Sequence, residues 1–84
     1  MAKLLYFASL REALDKDNEQ LSLPADITTV AQLKDFLAAR GAPWQAAFTA
    51  DTALLVSVNQ QMAQADSTIC DADEIAFFPP VTGG

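Results

Sequence analysis

Few side chains in this sequence can carry chemistry. Histidine does not occur and cysteine occurs once, at Cys70. That excludes His-based triads, His general bases, disulfides within the chain and Cys-cluster metal or iron–sulfur sites. Cys70 is the one strong nucleophile by type, but Asp71 and Asp73 beside it disfavour a thiolate. It is expected to be a small hydrophobe tucked under a loop. Asp71, Asp73 and Glu74 precede a predicted strand. They lack the glycine-supported turn spacing of a Mg²⁺ or Ca²⁺ loop, so they are expected to be solvated, with no metal site.

The sharper signal is the run Phe77-Phe78-Pro79-Pro80-Val81-Thr82-Gly83-Gly84. Pro79 and Pro80 cannot donate to a β-ladder, so they end a strand and stiffen the exit from it. A domain of residues 1–78 is therefore expected, followed by an extended, flexible reactive tail of residues 79–84 that spans about 20 Å when straight. The tail has no charged side chain, so only a terminal carboxylate need be desolvated in a narrow channel. Gly83 and Gly84 lack Cβ, so another protein's active site can close on their backbone. A carboxylate is a poor electrophile until it gains a better leaving group, which acyl-adenylation by ATP supplies. The chain has no phosphate-binding glycine loop. Activation must then come from a partner, and the chain itself needs no permanently bound cofactor. These features describe a carrier whose reactive group is the carboxylate of Gly84.

The elements that would position this tail follow from periodicity. Lys3–Ala8 alternates, with Leu4, Tyr6 and Ala8 on one side and Lys3, Leu5 and Phe7 on the other. Residues 9–16 make a short helix with Leu10 and Leu14 inward, and Gln20–Leu23 returns as a strand. Thr29-Val30-Ala31-Gln32 fits a capping box, and Val30, Leu33 and Leu37 form one stripe with Phe36 beside it. Gly41 supplies a left-handed stop, Pro43 blocks resumption, and Trp44 and Phe48 mark a further helical turn. Leu54–Val58, Gln61–Ala63 and Asp73–Phe78 are strands, with a turn at Asn59-Gln60 and a loop over Asp66–Asp71. This order predicts an α+β ubiquitin-like β-grasp: a mixed sheet of about five strands with one main helix packed on one face, and the first and last strands parallel at its centre. The pleat then places Phe7 and Phe78 on the sheet face away from the helix, where Met62 joins them in an apolar patch.

At 84 residues, 9.0 kDa and 51% hydrophobic residues, the chain can bury one modest core. Its net charge of −6 opposes phosphate-backbone binding, so no nucleic-acid partner is expected. Residues 41–84 carry five acidic and no basic side chains, which suits either a solvated face or docking on a basic partner. The apolar run after Lys3 is too short for a signal peptide and no stretch reaches membrane-span length. A cytoplasmic protein is expected, without a membrane partner.

The strand Leu4–Ala8 with Ser9-Leu10-Arg11-Glu12, the Val58-Asn59-Gln60 turn, and above all Asp73 to Gly84 resemble the small-subunit family of molybdopterin synthase, nearly end to end. The resemblance implies molybdenum cofactor biosynthesis. A ubiquitin-activating-type adenylyltransferase would adenylate Gly84, and a sulfur donor such as a cysteine desulfurase would convert it to a thiocarboxylate. The tail would then enter the large synthase subunit, in a heterotetramer of two small and two large chains, and give sulfur to precursor Z to build the dithiolene. The catalytic site would lie in the large subunit. Matching positions place Phe7, Met62 and Phe78 in the family's partner-binding surface, continued by Pro79, Pro80, Val81 and Thr82. Met62 stands where the family often has Leu. The sulfur carrier of thiamine biosynthesis and a β-grasp adaptor without acyl chemistry are the alternatives.

Overall fold

Apolar alternation along Ala2–Tyr6 makes the first strand, β1, whose Ala2, Leu4 and Tyr6 are buried. The structure, a computed structural model, describes residues 1–48 and 54–79. After β1 come α1 (Ala8–Leu14), β2 (Asn18–Leu21), α2 (Val30–Ala38), α3 (Trp44–Phe48), β3 (Leu55–Val58), β4 (Gln61–Ala63) and β5 (Glu74–Phe78). The sheet order is β2-β1-β5-β3-β4. β1 and β5 are parallel neighbours at its centre, and every other pairing is antiparallel. This is the mixed five-stranded ubiquitin-like β-grasp.

The registers Leu4↔Ile75, Tyr6↔Phe77 and Val56↔Phe77 align apolar side chains on one face. Against that face lies the α2 stripe of Val30, Leu33 and Leu37, each fully buried. Burying a side chain of this size contributes about 1.5–3 kcal/mol, so this stripe fixes where the helix sits. Phe48 of α3 closes the core edge-on to Phe77, with ring centroids 5.2 Å apart.

The start of α2 leaves no orphan donor. Thr29 Oγ1 accepts from the Gln32 N–H, and Gln32 Oε1 accepts from the Thr29 N–H, completing the capping box. Leu33 N–H donates to the Thr29 carbonyl, while Val30 and Ala31 donate to the carbonyls of Ser67 and Ala65. The loop before β5 is thereby stitched to the helix, and Ile69 of that loop enters the core. At the far end Gly41 has φ +93°, in the left-handed region expected of it.

Beyond shifts of one or two residues at the ends of α1, β3 and β5, three expectations of the fold need correction. First, β2 spans Asn18–Leu21 rather than Gln20–Leu23. Register Leu4↔Glu19 puts an acidic side chain on the helix face at the sheet's edge, where hydropathy predicts none. The Glu19 carboxylate is tolerated there because Arg40 donates to both its oxygens, at 2.8 and 3.1 Å, and the Tyr6 hydroxyl donates to Oε1 at 2.7 Å. Burial pushes the Glu19 carboxyl up, but these hydrogen bonds and the Arg40 charge outweigh it and hold it below the ordinary range. Burial, then the bond to Glu19, pushes the Tyr6 phenol well above its usual value. The Arg40 guanidinium also stacks 4.4 Å from the Trp44 ring centroid. Second, Ala8 does not continue β1 inward; it opens α1 with φ +54° and is exposed. Third, Cys70 is exposed, not tucked under the loop. Ile69 takes the buried place beside it.

Candidate docking face and reactive tail

The outer face of the sheet is set by the same pleat that fills the core. Leu5, Ala76, Ser57 and Met62 lie in one cross-strand row, and Phe78 lies opposite Leu55 in the next. Phe7, just past β1, stands beside Phe78 with ring centroids 6.3 Å apart and planes at 72°. An edge-to-face contact of this kind holds both rings without burying them against the core. Phe7 remains 46% exposed, Met62 64% and Leu55 39%. A sheet face open to water ordinarily alternates to polar residues; here large apolar side chains occupy it.

The structure places Phe7 and Phe78 in contact and Met62 on the same face of the sheet, two strands away in the neighbouring row. It adds Leu55, which sequence analysis passed over. The signal was present: with Val56 inward, alternation sends Leu55 outward, opposite Phe78.

Phe78 is the last residue of β5, and Pro79 follows it half-buried. β5 is held on both sides, by β1 and by β3. Its start is also clamped. Asn59 Oδ1 accepts from the Glu74 N–H at 3.0 Å, the Asn59 amide donates to Asp73 Oδ1 at 3.0 Å, and Cys70 N–H donates to Asp73 Oδ2 at 2.8 Å. Asn59 and Gln60 both have left-handed φ, +52° and +70°, which a two-residue type I′ hairpin requires. Thus the β3–β4 turn fixes the strand that delivers the chain to Pro79. Pro80, Val81, Thr82, Gly83 and Gly84 lie outside the described residues.

The acidic residues before β5 are structural rather than merely solvated. Asp71 Oδ1 accepts from the Leu23 N–H at 2.8 Å, and Oδ2 lies 3.3 Å from the terminal amine of Met1. The Leu23 hydrogen bond and the amine hold its carboxyl below the ordinary range. Among the described residues no group of three acidic or cysteine side chains is placed to hold a metal ion. A cleft of about 400 Å³, open to solvent, is lined by Arg11, Glu12, Asp15, Lys16 and Asp17, and none of Phe7, Leu55, Met62 and Phe78 lines it.

A family model described as the ThiS family matches residues 4–84. The chain belongs to the ThiS family. Among curated relatives it is 43% identical to the molybdopterin synthase sulfur carrier subunit of Escherichia coli (strain K12), over 84 residues and 100% of both chains. It is 40% identical to the molybdopterin synthase sulfur carrier subunit of Haemophilus influenzae, again over 84 residues and 100% of both. The ThiS-family fold is also that of the crystal structure of SAMP1 from Haloferax volcanii. That match has a TM-score of 0.74 at 24% identity and covers 99% of this chain and 98% of that one. No helix among the described residues is long and apolar enough to cross a membrane.

Proposed function

We propose that this ThiS-family chain is the sulfur-carrier subunit of a molybdopterin synthase and acts in molybdenum cofactor biosynthesis. The observation that carries the assignment is full-length similarity, 43% over all 84 residues, to a sulfur carrier subunit of that enzyme, in a chain that reads Phe77-Phe78-Pro79-Pro80-Val81-Thr82-Gly83-Gly84. The outer face supports it. Phe7, Leu55, Met62 and Phe78 form an apolar patch beside the point where β5 hands the chain to Pro79, so a protein docked there receives the tail.

The chemistry follows from what a terminal carboxylate lacks. An adenylyltransferase partner presents ATP, the Gly84 carboxylate attacks the α-phosphorus, and pyrophosphate leaves. A persulfide on a donor such as a cysteine desulfurase then adds its terminal sulfur to the acyl carbon and expels AMP. A thiol reductant attacks the donor's own sulfur in the resulting acyl disulfide, leaving a thiocarboxylate on Gly84 and a disulfide between donor and reductant. Within the large synthase subunit, whose site performs catalysis, the thiocarboxylate sulfur bonds to precursor Z as an oxygen leaving group departs. Water cleaves the resulting thioester, so that the sulfur stays on the product and Gly84 returns as a carboxylate. Dithiolene formation needs two sulfurs, so two loaded carriers serve each product, consistent with a heterotetramer of two small and two large chains. Pro80, Val81 and Thr82 belong to the tail and enter the partner ahead of the docking face. Gly83 gives the active-site walls access to the backbone, since a Cβ there would obstruct a close-fitting channel.

Deletion of Gly84, or addition of one residue after it, tests this in a purified assay with the adenylyltransferase, ATP, a sulfur source, the large subunit and precursor Z. Both variants are expected to fold as the parent does and to give no molybdopterin. Product formation at the parental rate by either would contradict the carrier assignment.

A further inference from the structure

We propose that Ala8 is a positioning residue for partner docking: its left-handed backbone fixes Phe7 against Phe78 on the outer face, so that the partner meets a preformed aromatic pair. The proposal rests on the carrier assignment above. Five described residues have left-handed φ, and four have an evident local reason. Asp15 ends α1, Asn59 and Gln60 make the β3–β4 hairpin turn, and Gly41 follows α2. Ala8, at φ +54°, stands between a strand and a helix. Its methyl group offers no hydrogen bond in return, and an L-residue other than Gly, Asn or Asp adopts this region reluctantly.

The strain sits where the chain must do two incompatible things. Phe7 is still extended, with φ −120° and ψ 157°, and its N–H donates to the Phe77 carbonyl at 3.2 Å as if β1 continued. One residue later the pleat would send Ala8 to the helix face and carry the chain past the sheet. Instead the reversal at Ala8 lets the Phe7 carbonyl accept from Leu10 and Arg11 N–H at 3.1 and 3.3 Å, and Leu10 drops into the core. Phe7 is thereby tied on its N–H side to β5 and on its carbonyl side to α1. Phe7 is 46% exposed, and its aromatic contact is the edge-to-face pair with Phe78. The backbone, rather than side-chain burial, sets where this aromatic points. Strain of this kind persists where surrounding structure over-determines it, and pre-organisation is its usual use.

The test is a double-mutant cycle in the full chain, read by calorimetric titration with the large synthase subunit and by nuclear Overhauser contacts between ring protons. Valine is disfavoured in the left-handed region by its branched Cβ. Ala8→Val is therefore expected to lose the Phe7–Phe78 ring contacts, keep the Tyr6–Phe77 contacts, and weaken binding at least about tenfold. Phe7→Ala should weaken binding similarly, and Phe7→Ala/Ala8→Val no further than Phe7→Ala alone. D-alanine at position 8, introduced by chemical synthesis, favours positive φ and is expected to raise the melting temperature with affinity retained. That variant decides the matter if Ala8→Val does not fold. Parental affinity and intact ring contacts in Ala8→Val, additive losses in the double variant, or a lower melting temperature with D-alanine would each overturn the role of Ala8. Parental affinity in Phe7→Ala would instead remove the docking face itself, and the proposal with it.

Discussion

Phe78 joins the docking face to the tail. It pairs with Leu55 across β5 and β3, touches Phe7, and is followed at once by Pro79. Aromatic anchors contribute about 2 kcal/mol or more to a protein interface. Phe78→Ala is therefore expected to weaken binding to both the large subunit and the adenylyltransferase by roughly thirtyfold, because in the proposed function one face serves both in turn. Titration calorimetry with native circular dichroism checks it, and unchanged affinity for both partners would remove Phe78 from the interface. Glu19 makes a prediction of a different kind. Its carboxyl is held below the ordinary range in the folded chain, so its contribution to stability is fully present above about pH 4.3, its unfolded value. That contribution is lost as pH falls through the depressed folded value. Glu19→Gln should lower the melting temperature at pH 7 by about 4–8 °C, for a loss of about 1 kcal/mol. The gap to the parent should close as the solution is acidified below about pH 4. A constant gap from pH 7 to pH 2 would show that charge at Glu19 does not stabilise the fold. The sign reverses for Tyr6, whose raised value makes its stabilising bond fail only in strong alkali. Phe7, Met62 and Phe78 were legible in the sequence because strand alternation alone sorts them outward. The Tyr6–Glu19–Arg40 cluster was not, since its members lie on three separate segments and only the fold brings them together.

At the scale of elements, the helix caps and turns were the most readable parts. Thr29 and Gln32 sit three apart with the chemistry of a capping box, and both bonds are present. Thr29→Ala is expected to cost about 1 kcal/mol, a drop in melting temperature of about 4–8 °C for a domain of this size. Thermal unfolding measures this, and a change within a degree would mean that the Ser67 and Ala65 carbonyls suffice to hold the helix start. The β2 boundary was less readable because the edge strand carries Glu19 on its inner face, a pattern that period-2 hydropathy reads as loop. The end of β1 failed for another reason: nothing in Phe7-Ala8-Ser9 announces a left-handed residue, since Ala is not a turn former. Cys70 was expected inward because a loop has no period from which to tell which of two neighbouring apolar residues, Ile69 or Cys70, turns to the core.

For the molecule as a whole, the parallel β1–β5 pair is the decisive feature. It places the chain's first strand beside its last, so the docking aromatics come from positions about seventy residues apart, and the strand that leads to the tail is held on both sides. The architecture and its central parallel pair were legible because few sheets accommodate two early strands, a crossing helix and three late strands in this order. The proposed carrier chemistry is read from the sequence for the opposite reason: with no histidine and a single cysteine, attention falls on the run Phe77 to Gly84. The proposed carrier function comes down to one atom replacement at Gly84. The direct measurement is the mass of the chain, intact and as its C-terminal peptide, after incubation with the adenylyltransferase, ATP and a sulfur donor. The expected result is one oxygen exchanged for sulfur, localised to the peptide that ends in Gly83-Gly84, and unchanged in Cys70→Ser. Sulfur added at Cys70, with the C-terminal peptide at its carboxylate mass, would contradict it.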